Sequence, residues 1–293
     1  MKTFTPIAAA VLFAVSGSVL AANNTAIQTQ LGAGNEADAD QSGYGVNYNT
    51  IIQTQVGLGN YAGALQTYGE EGSSILQTQF GGWNGAFSLQ AGGEYNDATV
   101  FQFGLGNNAE TTQLEQHHSN AMVTQFGEAN DGEVYQHTGG YNTGEVMQNG
   151  VYNHAKVRQT YSLGSYALID QDGHANHAKS DQSGLHQTSA VYENGHGNGA
   201  YTKQVWGGFN DSLVVQNGTY NVAGVEQEGF LNHQFTVQTG FDNFAGTHQF
   251  GFNNWALTTQ LGGCNTHMTT QVGLNETAVS TQVGFGNFGN IMQ

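Results

Sequence analysis

Residues 243–260 read NFAGTHQFGFNNWALTTQ, and this stretch decides the fold. Every second residue from Asn243 gives Asn, Ala, Thr and Gln, and after a turn at Gly251 the run from Asn254 to Gln260 gives Asn, Ala, Thr and Gln again. A period of two residues is typical of a β-strand, because successive side chains point to opposite faces. The stretch therefore predicts two short strands joined by a tight turn.

The same pattern returns along nearly the whole chain at intervals of 22 to 25 residues. A glutamine follows six residues after each of twelve asparagines, which are Asn35, Asn60, Asn84, Asn107, Asn130, Asn153, Asn176, Asn198, Asn221, Asn243, Asn265 and Asn287. A second series of strands ends in glutamine in eleven of twelve repeats, with Glu193 as the exception. Such short units bury a core only by stacking on their neighbours. The sequence therefore predicts an all-β fold, in which residues 22–293 form one β-solenoid of about twelve stacked strand-turn-strand rungs, a cross-β arrangement competent for amyloid.

The composition agrees with this fold class. The chain has 43 Gly, 1 Pro and 9% charged residues, whereas about a quarter of the residues in an ordinary domain are charged. Few charges and many amides suit stacked strands with amide ladders, while the 11% aromatic residues and the strict period argue against disorder. The formal net charge of −17 disfavours nucleic acid as a partner.

The asparagines and glutamines share one side of each strand with small residues, and the charged residues lie on the other side. We therefore place the amide side inward, where each stacked amide donates to one neighbouring copy and accepts from the other. Residues 204–293 carry only five acidic residues and no base after Lys203, so like charges oppose stacking least there. No proline or charge cluster closes residues 280–293, and an open edge invites another strand. The predicted self-assembly ladder consists of Asn221, Gln227, Asn243, Gln249, Asn254, Gln260, Asn265, Gln271, Gln282, Asn287 and Gln293.

An apolar stripe is predicted on the outward side of the second strand of each rung. Thr99 and Glu145 interrupt it. Its members are Ile27, Ile52, Leu76, Met122, Leu168, Ala190, Leu213, Phe235, Leu257 and Val279. A long exposed apolar band usually marks an interface, so we interpret this stripe as a lateral contact between protofilaments.

Charged residues give two further expectations. An outward column of alternating sign, Arg158, Asp181, Lys203 and Glu226, would favour the proposed register, although exposed pairs contribute only about 0–1 kcal/mol each. Glu193 and Glu276 fall in inward columns otherwise filled by amides. Burial there should raise the pKa of each carboxyl and make its rung a weak point at neutral pH.

Other chemistry finds little support in the sequence. His154 and His177 should stack in neighbouring rungs, but two histidines without a third ligand make a weak metal site, so we predict no metal and no cofactor. Cys264 lies in the turn formed by residues 262–265, as a plain turn residue or as an intermolecular disulfide partner. No nucleophile elbow, phosphate loop or HExxH helix appears, so the chain is not predicted to be an enzyme.

Residues 1–21 have the pattern of a secretory signal peptide. Lys2 supplies the positive charge, residues 7–15 form an apolar core, and Val19, Leu20 and Ala21 offer a cleavage site, with Ala22 as an alternative end. No later run is apolar enough to span a bilayer. We therefore expect export without membrane insertion.

These repeats resemble those of the curlin family, the subunits of bacterial curli fibres, whose repeat is roughly S-x5-Q-x-G-x-x-N-x-A-x3-Q. The likeness covers nearly all of residues 23–293, and STQVGFGNFGNIMQ at 280–293 is especially similar to a curlin terminal repeat. The resemblance implies an extracellular functional amyloid that is exported through an outer-membrane secretion pore and nucleated at the cell surface by a nucleator subunit. It also implies a role in cell adhesion and biofilm matrix, as a curli-like pilus whose main partner is the same chain.

The alternative is a β-solenoid that stays monomeric and binds a surface such as ice or a glycan. Outward threonines would carry this function, namely Thr25, Thr29, Thr50, Thr54, Thr259 and Thr281. A flat ice-binding face needs an unbroken threonine array, and Phe101, Met147, Asp170 and Tyr192 interrupt this one. A polysaccharide-cleaving β-helix enzyme is a third interpretation, but the sequence lacks the catalytic cluster that it would need.

Overall fold

The structure is a computed structural model that describes the backbone of residues 12–14 and the whole of residues 23–293. Apart from Leu12–Ala14, the predicted signal peptide at 1–21 lies outside the described residues. The described part is all-β, as predicted. No helix long and apolar enough for a membrane span occurs in it.

The described residues form twenty-five strands. In chain order they are β1 (Leu12–Ala14), β2 (Thr25–Ala33), β3 (Glu36–Asp40), β4 (Thr50–Leu58), β5 (Tyr61–Thr67), β6 (Ser74–Gly82), β7 (Gly85–Ala91), β8 (Asp97–Leu105), β9 (Asn108–His117), β10 (Asn120–Glu128), β11 (Asp131–Gly140), β12 (Thr143–Val151), β13 (His154–Leu163), β14 (Tyr166–His174), β15 (His177–Leu185), β16 (Thr188–His196), β17 (Gly199–Gly208), β18 (Asp211–Thr219), β19 (Val222–Phe230), β20 (His233–Phe241), β21 (Phe244–Phe252), β22 (Trp255–Gly263), β23 (Thr266–Leu274), β24 (Thr277–Phe285) and β25 (Phe288–Met292).

The strands from β2 onward form two parallel sheets that face each other. The even-numbered strands, β2 to β24, make sheet 1, and the odd-numbered strands, β3 to β25, make sheet 2. Each rung contributes one strand to each sheet, so twelve rungs stack as a β-solenoid and the predicted architecture is confirmed. The short strand β1 pairs antiparallel with β2 at the edge of sheet 1.

The register between rungs follows the sequence repeat. Gln238 aligns with Gln260 and then with Gln282 in sheet 1, and Gln249 aligns with Gln271 in sheet 2. Small register shifts occur only in sheet 2, between β13 and β19, within the described strands. Identical residues therefore form columns along the solenoid axis.

The core between the sheets is narrow, because its apolar members are small. Alanines such as Ala62 and Ala155 are fully buried, together with branched residues such as Val157 and Ile169. Between them lie the amide columns, which are equally buried. The inward placement of the amide side is thus confirmed.

Two backbone features turn the chain at a corner between the sheets. Gly240 has a φ of 125°, and a Cβ there would lie 1.8 Å from the carbonyl oxygen of Gly262, so only glycine fits this arch. In the same corner, two residues before β21 begins at Phe244, Asp242 adopts a φ of 52° although it is not glycine. Its backbone N–H donates to the Thr219 carbonyl of the preceding rung at 3.0 Å. The sequence predicted a turn at Gly251 but gave no sign of the left-handed residues at these corners.

Candidate functional site

The glutamines of sheet 2 form one unbroken hydrogen-bonded column. From Gln41 to Gln293, each Nε2 donates to the Oε1 of the next rung toward the C-terminus, over 2.7 to 3.1 Å. We call this set the sheet 2 glutamine column. All its members from Gln66 to Gln271 are at most 1% exposed. Their amide groups therefore form hydrogen bonds with one another instead of with water.

The second N–H of each amide fixes the direction of the column. Gln260 Nε2 donates to Gln282 Oε1 at 2.8 Å and also to the Phe244 carbonyl of the facing sheet at 2.9 Å. Gln249 uses Gln271 and the His233 carbonyl in the same way. Because the backbone carbonyl holds the amide group in one orientation, every glutamine donates toward the C-terminal end.

The asparagine columns point the other way. Asn243 donates both its backbone N–H, at 3.3 Å, and its Nδ2, at 2.9 Å, to Asn221 Oδ1 in the preceding rung. Backbone N–H bonds of this kind join all twelve asparagines of sheet 2 from Asn35 to Asn287. Each asparagine Oδ1 thus accepts from the rung on its C-terminal side, and the Nδ2 also donates to a glycine carbonyl of that rung, as Asn243 does to Gly262 at 3.1 Å.

The two ends of the solenoid are consequently unlike. In the last described rung, Gln282 and Gln293 each have a ladder donor without a partner among the described residues, and Asn287 has such an acceptor. In the first rung, Gln30 and Gln41 donate inward to Gln55 and Gln66, and within residues 23–293 no side chain donates to their own ladder acceptors. One end therefore offers what the other end lacks.

The predicted ladder residues lie where the sequence placed them. Those that are buried are Asn221, Gln227, Asn243, Gln249, Asn254, Gln260, Asn265, Gln271 and Gln282. Asn287 is half-buried and Gln293 is exposed, because the last rung has no neighbour beyond it. The structure brings all of them into continuous columns, and their part in assembly stays a prediction.

The predicted apolar stripe runs along the outer face of sheet 1. Register pairing places Ile27, Ile52, Leu76, Leu213, Phe235, Leu257 and Val279 in one column with Thr99 and Glu145 between them. Ile27, Leu76 and Val279 are 43%, 40% and 54% exposed. The others are half-buried by their neighbours along the column. The stripe is therefore open to solvent along the sheet, as a lateral contact would require.

The alternating charge column is in register but only partly paired. Arg158, Asp181, Lys203 and Glu226 align in successive strands of sheet 2. Among the described residues, only Lys203 and Glu226 of these four form an ion pair with each other. Asp181 accepts instead from Lys179 on its own strand, and the Arg158 guanidinium lies 5.9 Å from the centre of the Tyr135 ring. The ion pair of Asp181 with Lys179 and the contact of Arg158 with the Tyr135 ring therefore compete with the expected ion pairs between neighbouring rungs.

His154 and His177 stack as expected, with ring centroids 4.7 Å apart and 4° between the ring planes. His154 Nδ1 lies 2.9 Å from an Asp131 carboxylate oxygen, and this hydrogen bond raises the pKa of His154. Burial, followed by the neighbouring His154, lowers the pKa of His177. Within residues 23–293 no group of three or more ligand side chains could hold a metal ion.

Glu193 interrupts the glutamine column of sheet 1. Gln171 Nε2 donates to its Oε2 at 2.7 Å, but the other oxygen, Oε1, is buried without a partner. In the next rung Gln216 Oε1 is also buried without a partner. Burial raises the pKa of Glu193 to about 8, as the sequence predicted in direction. Glu276, the other acid in an amide column, lies half-buried in the last rung with Oε2 unpartnered.

Two polar features escaped the sequence analysis. Gln28, Gln53 and Gln77 form a second glutamine ladder in the first three rungs, with bonds of 2.8 and 2.9 Å. Each of these glutamines lies two residues before a glutamine of the sheet 1 column, and this repeated spacing could have predicted the second ladder. In the longer loop of the third rung Glu70 is fully buried, and it accepts hydrogen bonds from Ser73 Oγ, Asn96 Nδ2 and the Gly93 N–H. Nothing in the local pattern marks that acid as buried.

The remaining candidate residues lie on the outside of the solenoid. Pairing places Thr29, Thr54, Thr78, Phe101, Thr124, Met147, Asp170, Tyr192, Val215, Val237, Thr259 and Thr281 in one outward column. Threonines are therefore grouped at its two ends, with Thr124 alone between Phe101 and Met147. Cys264 is a free, exposed thiol in a left-handed corner with a φ of 54°.

A scan of the sequence against protein-family models gives no match, and a search of the curated proteins gives none either.

Proposed function

We propose that this chain is a secreted, self-assembling, curli-like fibre subunit that grows by templated strand addition at its ends. Its role would be cell adhesion and biofilm matrix. The observation that carries the proposal is the chemical complementarity of the two ends of the amide columns. A second copy stacked head to tail would continue every column in its own direction.

The outermost strands of sheet 1 match position by position when Gln282 is set against Gln30. Identical residues then face each other at Thr277 and Thr25, Ala278 and Ala26, Thr281 and Thr29, Gln282 and Gln30, and Gly284 and Gly32. Outside, Val279 falls on Ile27, so the apolar stripe also continues. Strand β2 of the added copy would pair with β24, and this pair would resemble the pair that β24 forms with β22.

The outermost strands of sheet 2 give the same alignment, with Asn287 on Asn35 and Gln293 on Gln41. At the corner of sheet 1, Glu276 then faces Asn24. In the preceding rung Asn254 donates Nδ2 to the Gly273 carbonyl, which belongs to the next rung. No described rung lies beyond Glu276, so its side chain has no glycine carbonyl of a next rung to which it must donate. A carboxylate, which only accepts, can therefore replace the amide at this position. It would accept a hydrogen bond from the Asn24 N–H of the next copy.

Access to the N-terminal edge of sheet 1 depends on removal of the predicted signal peptide. In the structure β1 pairs with β2 and occupies that edge. The predicted cleavage after residue 21 would remove β1 and expose the strand to which another copy would add.

The resemblance to curlins supplies the other partners in the proposal, namely a nucleator subunit and an outer-membrane secretion pore. It also supplies the localisation, an extracellular fibre at the cell surface. The repeated motif over residues 23–293 supports this part of the proposal.

The test is a thioflavin T time course on purified residues 22–293, followed by electron microscopy and fibre diffraction. We expect seeded growth, fibrils, and reflections near 4.8 and 10 Å from strand and sheet spacing. A β-rich monomer that stays unaggregated for days at high concentration would overturn the proposal and favour the surface-binding solenoid.

A further inference from the structure

Both amide columns of sheet 1 stop at the same junction between rungs. In the glutamine column, bonds join every neighbouring pair from Gln30 to Glu193 and from Gln216 to Gln282. Within the described residues, the pair of Glu193 and Gln216 is the exception. This junction lies between β16 and β18.

The corner column of sheet 1 breaks at the same level. Backbone N–H bonds to side-chain oxygens join its members from Asn24 to Gln187 and again from Asn210 to Glu276. Gln187 replaces the usual Asn or Ser, its longer side chain turns back so that Nε2 donates to the Ser183 carbonyl, and its Oε1 is buried without a partner. Sheet 2 has no such break, so the two rungs stay joined there.

Three buried oxygens, those of Gln187, Glu193 and Gln216, are therefore without donors at one junction. A buried acceptor without a donor costs about 1–3 kcal/mol, so this is the weakest interface of sheet 1 by hydrogen bonding. The register places Glu193 opposite Gln216. In the other rungs, the Oε1 atom equivalent to that of Gln216 accepts a hydrogen bond from the glutamine of the preceding rung. A carboxylate cannot fill that role, but a neutral carboxylic acid can, because its O–H is a donor.

We propose that Glu193 is a proton-controlled joint of the solenoid: as the neutral acid it donates to Gln216 Oε1 and completes the column, and when it ionises the β16–β18 junction opens. Glu193 is only 2% exposed, so its ionised form would be buried with a single hydrogen bond, from Gln171. Ionisation would also place a negative oxygen beside the acceptor of Gln216. The inference rests on the fold alone and not on the proposed assembly.

No other titratable group faces Glu193 from the strands packed against it, which are β14, β15, β17 and β18. The ionisable residues of those strands and of β16 all lie at outward positions, namely Tyr166, Asp170, Asp172, His174, His177, Lys179, Asp181, Tyr192, His196, Tyr201, Lys203 and Asp211. Its inward neighbours in sheet 1 are amides. A cleft of about 330 Å³ on the outer face, lined by Asp170, Asp172, Tyr192 and Asn217, borders the backbone at Glu193.

The pKa of the Glu193 carboxyl sets the pH range over which it ionises. Burial raises the pKa of Glu193 to about 8, whereas the unfolded value is 4.5. A raised carboxyl pKa means that the folded chain holds the proton more tightly, so the stabilising effect is complete below pH 4.5 and is lost progressively up to about pH 8. The junction should accordingly be closed in weak acid and open above pH 8.

The test is hydrogen exchange with mass spectrometry on the purified chain at pH 6 and pH 9, corrected for the intrinsic pH dependence of exchange and made at matched assembly state. In the wild type we expect at least tenfold faster exchange at pH 9 in 188–196 and 211–219, but not in 255–263. E193Q can donate to Gln216 as the other glutamines do, so it should show no such increase. D172N removes an exposed acid one strand away and should behave like the wild type.

Carbon-13 NMR titration of the glutamate carboxyls gives a second readout that does not depend on opening. One carboxyl should titrate near pH 8 and be missing from E193Q. The inference is overturned if E193Q opens at pH 9 as the wild type does, if D172N also abolishes the opening, or if Glu193 titrates at its ordinary pKa.

Discussion

Gln260 Nε2 donates to Gln282 Oε1 over 2.8 Å, and Gln282 is the last glutamine of its column. The column glutamines donate in this direction, and the backbone N–H groups of the corner asparagines donate in the opposite one. A cut between two rungs, except at the β16–β18 junction of sheet 1, therefore leaves glutamine donors on one face and glutamine acceptors on the other. The ends of the chain are such a cut.

Growth should depend on the donor at the C-terminal end. In Q282E the carboxylate still accepts from Gln260, but it cannot donate to Gln30 of an added copy. We expect seeded elongation at pH 7.5 to fall at least tenfold, and to recover at pH 4 to 5, where the carboxyl becomes a donor. Elongation rates from thioflavin T fluorescence with wild-type seeds measure this.

Q30E is the matched control, because it adds the same charge at the other end. Its carboxylate can accept from Gln282 of another copy and loses only the donation to Gln55 within the chain. Its elongation should therefore stay within about threefold of the wild type. Equal inhibition by both variants would contradict the polarity of the columns.

The stability of the chain should rise when Glu193 is replaced by glutamine. A pKa raised from 4.5 to about 8 corresponds to a penalty at pH 7 on the order of 3 kcal/mol, absent below pH 4.5 and largest above pH 8. E193Q should therefore gain over the wild type as the pH rises through this window. Guanidinium chloride midpoints at pH 4, 7 and 9 measure it, and a constant difference at all three would count against a buried acid.

The arch glycines should not tolerate a side chain. In G240A the new Cβ would lie 1.8 Å from the Gly262 carbonyl oxygen at a φ of 125°, so we expect a loss of about 3 kcal/mol or more. G224A is the control, since an added Cβ there meets no atom within 4 Å and φ is ordinary. It should be neutral or up to about 1 kcal/mol stabilising. Denaturant midpoints compare the two, and similar losses would exclude the arch as the cause.

The apolar stripe should control the bundling of filaments rather than their growth. In L257K a charge interrupts the stripe between Phe235 and Val279, and desolvating it in a lateral contact is costly. We expect single filaments in electron micrographs, with an elongation rate close to the wild type. M268K places the same charge on an exposed position of sheet 2 and should bundle normally. Bundling of L257K filaments would argue against this face.

Much of the fold follows from the sequence because its signal is repeated. One strand with a period of two is ambiguous, but twelve copies at 22 to 25 residues leave only a stacked solenoid, and they identify the inward columns. The buried position of Gln260 and the outward position of Leu257 could both be predicted in this way. An isolated feature such as Glu70 could not, because its burial depends on donors from Ser73, Gly93 and Asn96 that no local pattern links to it.

The sequence by itself determined which residues stack, and the tertiary structure decided which way they point. An amide carries both a donor and an acceptor, so a column of glutamines can run in either direction. The facing sheet resolves this, since the Phe244 carbonyl captures one N–H of Gln260 and leaves the other for Gln282. In the same way, only the three-dimensional arrangement sets the unpartnered oxygens of Gln187, Glu193 and Gln216 at one junction.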